Sequence, residues 1–76
     1  MELEKFIEKL ADQFDDTDKS LLKPDTIFRD LDEWGSITVL SVIAMADEEY
    51  DVELELNDIK KARTIEDLFD VIRSKK

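Results

Sequence analysis

Ser36 stands where a loop becomes a helix, directly after Trp34-Gly35 and directly before the apolar run Ile37-Thr38-Val39-Leu40. A serine hydroxyl at that place has two uses. It is a preferred N-cap, accepting a hydrogen bond from an orphan N–H of the first turn. It can also accept a phosphoryl-linked group, which the free N–H groups and dipole of a helix start stabilise. Nucleophilic catalysis by this serine is excluded by composition. The chain of 76 residues has no His and no Cys, and residues 30 to 59 contain no Lys or Arg, so nothing nearby activates the hydroxyl.

The same window holds ten acids: Asp30, Asp32, Glu33, Asp47, Glu48, Glu49, Asp51, Glu53, Glu55 and Asp58. A charged helical face is usually a solvated surface. Thirty positions without a compensating base are better explained by a partner that needs the charge, because one-sign surfaces repel themselves. Asp30-x-Asp32-x-Trp34-Gly35 begins like a calcium-binding EF-hand loop. Trp34 falls at position 5 and Ser41 at position 12, where ligands are required, so no metal site is predicted. Trp34 is expected to pack its ring over the loop.

The whole chain carries 11 basic and 21 acidic residues, a net charge of −10. That charge excludes nucleic acid and anionic membranes as partners and points to cationic ones. Its length predicts one domain, residues 1 to 76, with one small core and little room for a catalytic cleft. No signal peptide or membrane-spanning run is visible, so a cytoplasmic monomer is expected.

The elements that must hold Ser36 follow from periodicity. Leu3, Phe6, Ile7, Leu10 and Phe14 form one helical stripe, predicting a first helix from Glu2 to Gln13 or Phe14, with Glu2 and Glu4 suiting its dipole. Asp15-Asp16-Thr17-Asp18 supplies turn-forming side chains. Residues 15 to 35 form a long loop with Leu21, Leu22, Ile27, Phe28, Leu31 and Trp34 as apolar anchors, and one short turn near Thr26 to Leu31. A second helix runs from Ser36 or Ile37 to Tyr50. Its Val39, Val42, Ile43, Ala46 and Tyr50 share one side, and Ile37, Leu40, Ser41, Ala44, Asp47 and Glu48 share the other. Val52, Leu54 and Leu56 alternate with acids in an extended loop, and Asn57 or Asp58 caps a short third helix through Ala62. Thr64-Ile65-Glu66-Asp67 resembles a capping box opening a last helix, whose stripe is Ile65, Leu68, Phe69 and Ile72 and whose end is basic at Arg73, Lys75 and Lys76. The expected fold is all-α: a small four-helix bundle of three main helices plus one short helix, with a long first loop.

In that order and spacing, the residues resemble the acyl carrier protein family of phosphopantetheine-dependent carriers. The stretches that carry the resemblance are Asp25 to Leu31, Gly35-Ser36-Ile37, Asp47 to Leu54 and Thr64 to Leu68. The resemblance implies that Ser36 bears a covalent 4′-phosphopantetheine arm, added from coenzyme A by a magnesium-dependent phosphopantetheinyl transferase. The thiol of the arm would hold acyl or aminoacyl cargo as a thioester, in fatty acid, polyketide or nonribosomal peptide assembly, so the chain is a carrier and not an enzyme. It also implies that Ile37, Leu40, Ser41, Ala44, Asp47 and Glu48 dock onto basic patches of the transferase and of acyl- or aminoacyl-processing enzymes. Three departures stand out. Gly35 replaces the Asp that usually precedes the serine, Ile37 replaces the usual Leu, and four residues rather than three separate Leu31 from Ser36. The competing reading is a non-enzymatic acidic helical interaction module, an unmodified carrier relative that binds a basic protein.

Overall fold

The computed structural model describes residues 2–15 and 17–75. Expectations for Asp16, for Lys76 and for the Glu2 side chain therefore lie outside the described residues. Four helices follow in order: α1 (Glu2–Ala11), α2 (Ser36–Tyr50), α3 (Leu56–Lys61) and α4 (Ile65–Lys75). Two short 3₁₀ turns, Lys19–Leu21 and Phe28–Asp30, punctuate the long first loop. No strand occurs among the described residues, and the all-α expectation holds.

The predicted stripe of α1 faces inward: Phe6, Ile7, Leu10 and Phe14 are buried. The helix ends earlier than expected, because Gln13 and Phe14 donate to the carbonyls of Leu10 and Ala11 and tighten the last turn. Phe6 lies at the centre of the core, 5.3 Å from Phe69 of α4 and edge-on to Tyr50 of α2 at 6.0 Å. Burying one such side chain contributes about 1.5–3 kcal/mol.

The long loop is sewn to the start of α4. Ile65 N–H donates to Thr26 O at 3.0 Å and Glu66 N–H to Pro24 O at 2.9 Å, so loop carbonyls satisfy two orphan donors of that helix. Thr64 and Asp67 satisfy each other reciprocally, as the capping-box reading expected: Asp67 N–H reaches Thr64 Oγ1 at 3.1 Å, and Thr64 N–H reaches Asp67 Oδ2 at 3.3 Å.

Two loop anchors fail. Leu22 and Phe28 are buried, but Leu21 is 57% exposed and Ile27 38%. Ile27 pairs with Thr64 in an isolated antiparallel bridge on extended backbone, and it is Phe28, opening the 3₁₀ turn that follows, that enters the core. Beyond α2, Asp51 adopts the left-handed conformation at φ 55°, and its N–H and that of Val52 close on Asp47 and Ala46 carbonyls. Val52 and Leu54 then enter the core from a segment that is extended, the conformation expected for it.

The short helix α3 starts two or three residues sooner than predicted. Glu55 is its N-cap, and Asp58 is the third helical residue, accepting the Glu55 N–H at 2.9 Å in a reciprocal capping box. The cause is spacing: carboxylates three residues apart satisfy each other's backbone, an arrangement that a cap at Asn57 or Asp58 would lack. Asp58 also pairs with Lys75 of α4 at 2.9 Å, and Arg29 donates to the carbonyls of Lys60 and Ala62, so both ends of α3 are held.

Candidate functional site

The residue that opens α2 is Ser36, and the cap is Gly35. Serine therefore does not serve as the N-cap. Gly35 has no side chain to cap with, and the first helical hydrogen bond runs from Val39 N–H to Gly35 O at 2.9 Å. Among the described residues, the N–H groups of Ser36, Ile37 and Thr38 have no acceptor, and the Ser36 hydroxyl has no partner. Ser36 is exposed. The hydroxyl is thus free to react, beside three unused donors at the positive end of a helix.

The flanks of this serine are held firmly. Thr38, in the first turn of the helix and only 9% exposed, donates its hydroxyl to Glu33 O at 2.7 Å. Trp34 is half-buried with its ring 4.7 Å from that of Phe28 and 6.4 Å from that of Phe14, which bears out the expectation that it packs over the loop.

The six residues predicted to form a docking face share one outward side of α2. Ile37 is 82% exposed and Leu40 65%; Ala44, Asp47 and Glu48 are exposed, and Ser41 is half-buried. Neither Asp47 nor Glu48 makes an ion pair among the described residues, whereas Glu49 is engaged by Lys9 of α1 at 2.7 Å. The hydrogen bond to Glu49 holds the Lys9 ammonium above its ordinary pKa.

Leu56, the first residue of α3, was not among the predicted site residues, yet it is 59% exposed and faces the start of α2. Its alternation with Val52 and Leu54 read as part of an extended loop. The helical turn that begins at Leu56 instead carries it outward, against Val39 and Leu40. These three and Ser36 line an open, largely apolar groove of about 320 Å³. No group of three or more potential ligands that could hold a metal occurs among the described residues.

A free exposed hydroxyl, unpaired backbone donors for a phosphate oxygen and an apolar trough alongside fit a phosphate-linked, partly apolar arm. Residues 4–72 match the family model described as PP-binding, phosphopantetheine attachment site. No curated protein and no solved structure matches the chain.

Proposed function

The chain belongs to the phosphopantetheine attachment-site family, whose domains are non-catalytic carriers of a covalent 4′-phosphopantetheine, and from that premise we propose that Ser36 is the residue that bears it. The observation that carries this reading is the unpartnered Ser36 hydroxyl at the uncapped start of α2. When attached, the group supplies a thiol that this cysteine-free chain lacks, and with it a place for acyl or aminoacyl cargo.

Each part of the site has a task in that reading. The Ser36 oxygen would form the bond to phosphorus as the phosphoanhydride bond of coenzyme A breaks and adenosine 3′,5′-bisphosphate leaves, and the hydroxyl proton would go to a base of the transferase, since the chain offers no His or Cys to take it. The N–H groups of Ile37 and Thr38 receive the phosphate oxygens. Val39, Leu40 and Leu56 shelter the apolar part of the arm. Ile37, Leu40, Ser41, Ala44, Asp47 and Glu48 meet the basic patches of the transferase and of acyl- or aminoacyl-processing enzymes. Such docking stays small, below about 1,200 Å² in total, so that the carrier leaves after each step.

Gly35 favours a second reading, an unmodified interaction module that binds a basic protein through the same acidic face. Intact mass separates the two. Incubation with coenzyme A, magnesium and a broad-specificity phosphopantetheinyl transferase is expected to add one arm to the native chain and none to Ser36→Ala. An arm on Ser36→Ala would refute the site assignment. No gain on a folded native chain would favour the second reading.

A further inference from the structure

Glu33 is tied into the fold more tightly than an acid of a solvated face needs to be. Its carboxylate accepts the Asp15 N–H at Oε2 (3.0 Å) and the Thr17 hydroxyl at Oε1. Its main-chain oxygen accepts the Thr38 hydroxyl at 2.7 Å. One residue thus links the chain just beyond α1 to the loop before Ser36, and that loop to the first turn of α2. The adjacent Trp34 is wedged against Phe28 and Phe14. Between these ties, Gly35 adds no side-chain contact, and Ser36 makes none of its own. The direction of the Ser36 hydroxyl is therefore inherited from its flanks, and Glu33 is the residue that binds them to the body of the protein.

We propose that Glu33 is a positioning residue for transfer of the arm to Ser36: it acts through the loop it clamps and touches neither the hydroxyl nor the donor. The inference rests on Ser36 being the attachment residue. Displacement at phosphorus demands an aligned nucleophile, and a misplacement of about 1 Å can cost on the order of a hundredfold in rate. Docking is carried by other residues, the outward face from Ile37 to Glu48. A loosened loop therefore lowers turnover of the docked carrier and leaves its capture unchanged. This division between kcat and KM separates positioning from a general loss of stability.

The test is steady-state arm transfer to the full chain from coenzyme A and magnesium by a broad-specificity phosphopantetheinyl transferase. Product is read by intact mass, at a temperature where circular dichroism shows each variant folded. Glu33→Ala is expected to lower kcat about tenfold or more with KM within about twofold of native. Glu33→Gln keeps an acceptor for Thr17 but sets an amide where the Asp15 N–H needs an oxygen, so it recovers part of the loss. Thr17→Val cuts the same tie from its far end and moves kcat in the same direction by less. It decides alone if Glu33→Ala does not fold. A native kcat in both Glu33→Ala and Thr17→Val, or a loss confined to KM, overturns the inference and leaves Ser36 as the attachment residue. No transfer to the native chain overturns that assignment, and the inference with it.

Discussion

Gly35 sits at φ −167° and ψ −172°, extended backbone that any residue adopts, and a Cβ added there would meet nothing within 4 Å. The glycine is not required by the turn. An aspartate would fit, and its carboxylate would reach the unpaired first-turn donors as an N-cap. Gly35→Asp is accordingly expected to stabilise the fold by about 0.5–1 kcal/mol, through capping and through a less flexible unfolded chain. Urea denaturation of the unmodified protein measures this; an unchanged or lower midpoint would show that the start of α2 is not short of a cap. The same carboxylate would stand at the donors assigned to the phosphate. The glycine thus trades a little stability for an open helix start.

At the level of elements, α3 has six residues, too few to persist on local propensity. Its capping box, the Lys75 pair and the two Arg29 hydrogen bonds hold it, and through it Leu56, beside Ser36. Asp58 is central to this. The Glu55 N–H first and the Lys75 ammonium second hold its carboxyl below the ordinary value of 3.8. Because the folded value lies below the unfolded one, the stabilisation is complete above about pH 4 and is lost as pH falls through the folded value. Asp18, bonded to the Ser20 N–H, and Asp67, bonded to the N–H groups of Thr64 and Arg63, shift in the same direction. Melting curves from about pH 7 to about pH 3 are expected to show Asp58→Asn less stable than native at neutral pH, with a shallower decline below about pH 4. Parallel curves would contradict that role. Elements of this kind were legible in sequence to the extent that their determinants are local. The stripe of α1 and the Thr64–Asp67 box lie within a few residues and were readable, as were the place of Ser36 at the start of α2 and the outward face of that helix, from residue type and period. Of the side of α2 read as Val39, Val42, Ile43, Ala46 and Tyr50, Val42 and Ala46 are buried and the other three half-buried, because the buried side is rotated toward Thr38 and Met45. That rotation, the outward turn of Leu21 and Leu56, and the ties of Glu33 depend on neighbours far along the chain, which no pattern within one element displays.

For the molecule as a whole, a net charge of −10 acts in two opposite senses. Self-repulsion strains the folded chain, while Asp47 and Glu48, in the docking role proposed for them, would attract a basic partner. Salt screens both, with a Debye length that shrinks from about 10 Å at 0.1 M to about 3 Å at 1 M. Raising sodium chloride from about 0.05 to about 0.5 M should therefore raise the melting temperature while lowering kcat/KM for arm transfer about tenfold. Asp47→Lys is expected to raise KM and flatten that salt dependence; an unchanged KM would remove the acidic face from docking. The molecule also has one tryptophan, Trp34, lodged between Phe14 and Phe28 and two residues from Ser36. Its fluorescence therefore comes from a single address. Opening of the loop, arrival of an enzyme or seating of cargo beside Ser36 can be followed there as a change in emission, with no dye attached and no residue replaced.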